Sequence, residues 1–217
     1  MLRRRIAVLV SGGGTNLQAL IDAQGRNELG GGEIVAVIAS RPDAYALTRA
    51  EKASIRGIVL PRKDYPSHEA YTHALTETLK ELGAELVVLA GFMHILTREI
   101  TEAYPNAIVN VHPALIPSFC GEGAYGLHVH ERALEYGVKV TGATVHFVHE
   151  ITDGGPIILQ KAVEILPGDT PESLQRRVMV EAEWQLLPRA VALFCQGRLR
   201  IEGRQVFIEE GEKKNEA

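Results

Sequence analysis

Five short apolar runs recur through the first half of the chain, and none alternates with polar residues: Ile6 to Val10, Ile34 to Ser40, Gly57 to Pro61, Leu86 to Gly91 and Ala107 to Val111. A strand that is apolar on both sides is covered on both faces, which is the condition of a parallel sheet with crossover helices above and below it. The intervening segments agree. Leu17 to Ala23, Ala44 to Ala53, His68 to Leu82 and Arg98 to Ala103 carry helix formers at the spacing of successive βαβ units. After Pro117 the pattern changes to a glycine-rich loop, CGEGAYG, a helix-like HERALEYG, and two longer strands, Gly142 to Glu150 and Pro156 to Leu166. The turn ITDGGP between them predicts an antiparallel pair that extends the sheet. One long helix is expected from Thr170 to Gly197, with Thr170 and Ser173 as alternative caps and Glu172 in its first turn. The fold class is therefore α/β and Rossmann-like, a mostly parallel twisted sheet with helices on both faces and an antiparallel extension. No repeat or linker divides residues 1–208, read as a single domain, and 209–217 read as a charged, solvated tail.

Composition narrows this little: 217 residues, 46% hydrophobic and 23% charged, belong to an ordinary globular chain rather than a disordered one. Charge says more. A net −4 gives no electrostatic footprint for a long polyanion, so a nucleic-acid partner is not expected, whereas a small anionic ligand is compatible. The basic start MLRRR precedes an apolar run too short for a signal peptide or a membrane span. Cys120 and Cys195 have no paired spacing, so neither a disulfide framework nor a zinc site is indicated and a cytoplasmic setting is expected.

Two stretches carry candidate chemistry. SGGGTNLQALI is a strand end, three glycines and a helix start, with Gly14, Thr15 and Asn16 at the junction. Glycine permits left-handed torsions and close approach, and the free N–H groups of the helix favour a phosphate. It matches neither the dinucleotide fingerprint nor the P-loop. The alternative is a tight turn in which Thr15 or Asn16 caps the helix. In IVNVHP, Asn110 and His112 lie two apart, hence on one face at the carboxyl end of a central strand, where open α/β sheets bind ligands. They are read either as a satisfied core pair or as catalytic groups. Asp153, in the turn ITDGGP, is either their carboxylate partner or a common turn aspartate. His146 shares a strand face with Thr144 and is another candidate for that pocket, while HVH at 128–130 opens a helix where i and i+2 do not share a face, so no metal is expected. The run around Met93 is read as a pocket wall or as core.

Taken in order, SGGGTNLQALI, LVVLAGFMHIL, NVHPALIPSF, GATVHFV, TDGGPIILQ and EAEWQLLP resemble the phosphoribosylglycinamide formyltransferase family, a branch of the formyltetrahydrofolate-using enzymes, over nearly all of residues 5–208. The resemblance implies transfer of a formyl group from 10-formyltetrahydrofolate to the amine of glycinamide ribonucleotide in purine biosynthesis. It implies an oxyanion held by Asn110 and a protonated His112, with Asp153 raising the histidine's pKa and assisting proton movement. Gly14, Thr15, Asn16 and Glu183 would bind the ribonucleotide. Folate would meet His68, Met93, His94, Ile95, Leu96 and Asn110, together with His149, Glu150, Ile151, Thr152 and Asp153. Family members often carry arginines near the folate's glutamate tail, where this sequence has His68 and His94, and the loop SFCGEGAYGLHVH is longer than in some relatives. The partners implied are the two small molecules, with a homodimer as a further possibility and no metal. Competing readings are a formyltetrahydrofolate hydrolase, whose resembling members carry an extra amino-terminal domain, and a non-enzymatic phosphosugar-binding module, which leaves Asn110, His112 and Asp153 without a role.

Overall fold

The computed structural model describes residues 3–210. Strands β1 (Arg4–Val10), β2 (Gly32–Ala39), β3 (Arg56–Val59), β4 (Leu86–Leu89), β5 (Ile108–His112), β6 (Val140–Phe147) and β7 (Ile157–Glu164) form one sheet in the order β3-β2-β1-β4-β5-β6-β7. Neighbours from β3 to β5 pair in parallel, and β6 and β7 extend the sheet antiparallel, as the change of pattern after Pro117 predicts. Helices α1 (Thr15–Gly25), α2 (Tyr45–Lys52), α3 (His68–Glu81), α4 (Arg98–Ala103) and α5 (His128–Tyr136) follow the expected segments.

The period of two along β1 sorts its residues between two cores. Ile6, Val8 and Val10 pack in one cluster with Leu17 and Leu20 of α1, while Ala7 and Leu9 join Leu75 and Leu79 of α3 on the other face. Each such leucine is essentially inaccessible and contributes roughly 1.5–3 kcal/mol by leaving water. Apolar cover on both faces therefore leaves only the sheet's edges and strand ends open for chemistry.

The carboxyl half departs from expectation in two places. The single helix expected from Thr170 is three pieces: α6 (Pro171–Val178), a π-helical turn (Met179–Glu183) and α7 (Trp184–Cys195). Thr170 caps α6 in a reciprocal box with Ser173. Pro188 lies inside α7 and has no N–H to give the carbonyl four residues back, so the helical ladder is already interrupted just after the wide turn. Beyond Gly197 lies a hairpin that the sequence reading did not anticipate, β8 (Leu199–Glu202) with β9 (Gln205–Ile208). Of the expected tail, residues 211–217 lie outside the described residues.

Candidate active site

The sheet order turns back between β1 and β4, because β1 runs on to β2 and β3 in one direction and β4 returns to its other side. Loops leaving the carboxyl ends of such strands diverge and open a crevice. Next to that point, over the ends of β4 and β5, lies a cleft of about 510 Å³ bounded by the segment after β4, the end of β5 and the turn after β6. Met93, His94, Ile95 and Leu96 form one wall. Asn110, His112, His146, His149, Glu150, Thr152 and Asp153 line much of the rest, with the loop from Gly121 to Gly126 closing another side. His68 and Ile151 do not line it: the His68 ring sits 2.7 Å from the Ile95 carbonyl, and Ile151 is 72% exposed.

Asn110 and His112 do share a face, and the turn after β6 brings Asp153 to them: His112 Nδ1 lies 3.6 Å from Asp153 Oδ2. Asp153 has φ 54°, a left-handed torsion that aspartate tolerates. Two residues on, any side chain at Gly155 would collide with the Phe147 carbonyl, so the glycine lets the turn fold back against β6. The carboxylate also accepts the Gly121 N–H at 2.9 Å and lies 3.6 Å from His146 Nε2. Burial pushes Asp153 up, but His146, His112 and the Gly121 N–H outweigh it and hold the carboxyl below its ordinary value.

His112 corrects the sequence reading. Asp153 does raise its pKa, yet burial opposes this more strongly, and the net shift is downward. Its Nε2 is 2.9 Å from the Phe119 carbonyl, which makes Nε2 the N–H bearing nitrogen of the neutral ring and leaves Nδ1 facing Asp153. In the free protein at neutral pH, His112 is thus an acceptor beside a carboxylate rather than a standing imidazolium.

His146 is more central than its alternation with Thr144 suggested. Its Nδ1 is 2.9 Å from the Phe147 carbonyl, and its Nε2 stands between the Asn110 amide, 3.3 Å from Nδ2, and the Asp153 carboxylate, 3.6 Å from Oδ1. The ring thereby orients the Asn110 amide. Register alone contains the signal, since Asn110 pairs directly with His146 across β5 and β6. Cys120, in the loop beside Asp153, donates to the Pro117 carbonyl at 3.2 Å, and burial followed by the Asp153 charge pushes its thiol up.

The glycine loop occupies the same edge of the sheet. Gly14 caps α1 at φ 69°, and a side chain there would meet Ala46 Cβ at 2.7 Å, so glycine serves both the torsion and the approach of α2. Neither Thr15 nor Asn16 caps the helix with its side chain. Asn16 Nδ2 instead donates to Glu183 Oε2 at 2.6 Å, joining two residues 167 apart in sequence, while Asn16 Oδ1 is buried and unpaired. Glu183, at the end of the π-helical turn, is 6% exposed, and burial lifts its carboxyl to about 7 against a smaller opposing effect of Asn16. Ser11 connects the loop to the cleft, since its hydroxyl accepts the Met93 N–H at 3.0 Å and shares a hydrogen bond with Ser40 at 2.7 Å. Among the described residues, no group of three or more His, Cys, Asp or Glu side chains is placed to hold a metal ion, and no helix is long and apolar enough to cross a membrane.

The cleft, with an amide, an imidazole and a carboxylate converging on it, lies in an α/β protein whose residues 4–191 match the formyl transferase family model: the chain belongs to that family. Its relatives narrow the class. It is 39% identical over 206 residues to phosphoribosylglycinamide formyltransferase of Haemophilus influenzae, covering 95% of this chain and 94% of that one. It is 46% identical over 199 residues to the trifunctional purine biosynthetic protein adenosine-3 of Drosophila pseudoobscura, where the match covers 91% of this chain but only 14% of the relative. Among solved structures, glycinamide ribonucleotide transformylase 1 from Symbiobacterium toebii superposes with a TM-score of 0.90 at 47% identity, covering 96% of this chain and 95% of that one.

Proposed function

We propose that this formyltransferase moves the formyl group of 10-formyltetrahydrofolate to the amine of phosphoribosylglycinamide, a step of purine biosynthesis. The observation that carries the reading is the convergence of Asn110, His112 and Asp153 in the cleft, with the Asn16 and Glu183 pair beside the glycine loop on the same edge of the sheet. Folate's ring would lie against the Met93 to Leu96 wall, and the loop N–H groups would take the phosphate.

The chemistry follows from the charges. The attacking nitrogen forms a bond to the formyl carbon, the carbonyl electrons move to oxygen, and the amine must shed a proton. Neutral His112 can take that proton, and the imidazolium so formed is stabilised by Asp153. Asn110 Nδ2, reoriented from His146, then donates to the oxyanion, and the positive charge of the nearby imidazolium stabilises it electrostatically. On collapse the bond to N10 breaks, and His112 can return the proton to that nitrogen, directly or through water. Lowered basicity in the free protein suits this sequence, because the ring starts neutral and becomes charged only beside the developing oxyanion.

The decisive experiment incubates the purified chain with 10-formyltetrahydrofolate, with and without glycinamide ribonucleotide, and measures formylated ribonucleotide and formate separately. Ribonucleotide-dependent formyl transfer is expected. Formate release at equal rate with or without the ribonucleotide establishes a hydrolase instead, and no turnover with tight ribonucleotide binding leaves a binding module. The reading includes a cytoplasmic setting, consistent with the free thiols of Cys120 and Cys195, and a homodimer, which sedimentation of the purified chain tests.

A further inference from the structure

The glycine loop is gripped by a helix that the phosphate reading leaves without a role. An anion cradle needs its N–H groups turned outward and its carbonyls turned away. All three glycine carbonyls are tied: Gly14 O takes the Gln18 N–H at 2.9 Å, Gly12 O takes the Ala46 N–H at 3.2 Å, and Gly13 O takes Arg49 Nε at 2.8 Å. The second arm of the same guanidinium, NH1, donates to Gln18 Oε1 at 2.9 Å, so Arg49 of α2 spans the loop and the first turn of α1. Its plane is further seated over the Tyr45 ring, 5.1 Å from the centroid. Among the described residues, the N–H groups of Gly12 to Leu17 have no protein acceptor, and Arg49 has no carboxylate within ion-pair distance. An arginine held by a backbone carbonyl and a neutral amide has no anion balancing its charge, whereas that of Arg41 nearby in sequence is balanced by Asp43 at 2.6 Å. A separate pointer to a ligand lies in the same first turn, where Asn16, 8% exposed, has its Oδ1 buried and unpaired.

From this arrangement we infer that Arg49 is the positioning residue of the phosphate cradle: it pins the Gly13 carbonyl away from the anion, bridges loop to helix through Gln18, and sets an unneutralised positive charge behind the loop. The inference rests on the phosphate reading of the glycine loop. It predicts that affinity for the phosphate-bearing substrate depends on a residue of α2 that folate binding does not use.

The test titrates inorganic phosphate, then glycinamide ribonucleotide, into the full-length ¹⁵N-labelled chain and its Arg49→Met and Arg49→Lys variants, following the amides of Gly12 to Leu17. In the wild type those amides shift. Arg49→Met should raise the phosphate Kd about tenfold or more and flatten its salt dependence, with folate affinity within about twofold. Arg49→Lys should recover part of the loss, because it returns the charge without the two-armed grip. Wild-type phosphate affinity and salt dependence in a folded Arg49→Met variant overturn the inference. Should that variant misfold, Gln18→Ala releases one arm only and should weaken phosphate about threefold; unchanged affinity in both Gln18→Ala and Arg49→Lys overturns the inference equally. Wild-type loop amides that ignore both ligands refute the phosphate reading itself, and the inference falls with it, a failure visible before any substitution is made.

Discussion

Replacing Glu183 with glutamine should stabilise the protein, and by an amount that depends on pH in a defined direction. Burial lifts this carboxyl from its ordinary 4.5 to about 7, so the folded state favours the protonated acid more than the unfolded chain does. A group whose folded pKa is raised contributes stability that is fully present below the unfolded value and is lost as pH climbs through the folded one. Each pH unit in that window is worth about 1.4 kcal/mol, so ionising Glu183 costs the fold about 3 kcal/mol by pH 8 and under about 1 kcal/mol at pH 5. Glutamine imitates the neutral acid: its carbonyl can keep accepting from Asn16 Nδ2, and it never ionises. Urea denaturation of both proteins at pH 5 and pH 8 should give a gain for Glu183→Gln that is about 2–3 kcal/mol larger at pH 8. The same variant should bind glycinamide ribonucleotide about tenfold or more weakly, because a buried carboxylate accepts substrate hydroxyls more strongly than an amide does. A stability gain that is equal at the two pH values, or a wild type that is relatively more stable at pH 8, refutes the reasoning.

Three further outcomes are expected. Asn110→Ala should lower turnover by about 10² to 10³ with little change in substrate affinity, as the loss of one oxyanion donor does; a drop under about fivefold in a folded variant would make Asn110 a structural residue. Asp153→Asn removes the charge that supports protonated His112, so the histidine titration followed by NMR should move further below its already lowered position, and turnover near neutrality should fall by about 10²; an unmoved titration with normal turnover rejects the partnership. His130 is buried with both ring nitrogens unpaired, and burial followed by the His112 charge pushes it down to about 4 from 6.5. A depressed histidine contributes stability that is present above pH 6.5 and lost as pH falls to about 4, here about 3 kcal/mol, so His130→Leu should flatten the acid side of the stability profile, and an equally steep loss in the variant tells against the assignment.

Much of the architecture was legible because it is written in local periodicity. Unalternated apolar runs predict strands covered on both sides, and β1 divides its residues between two cores as that reading requires, whereas the run at Gly57 to Pro61 forms the edge strand β3, which is largely exposed, with Val59 at 41%. The shared face of Asn110 and His112 follows from the period of two, and the strand, glycines and helix start of the loop are readable residue by residue. The hairpin β8 with β9 and the π-helical turn were not legible. A single proline and a short exposed ribbon leave too weak a periodic trace against the strong helical pattern around them.

Covalent spacing and side-chain alternation act over a few residues, so the chain fixes on its own which residue types stand at which strand ends. Their partners and their charges belonged to the tertiary structure. Asn16 meets Glu183 across 167 residues, and Asp153 reaches His112 only because the turn after β6 folds back over Gly155. The sign of the His112 shift illustrates the physical reason: a neighbouring carboxylate could be anticipated from the chain, but the desolvation that outweighs it is the summed effect of every segment packed around the ring, a quantity that exists only once the chain has folded.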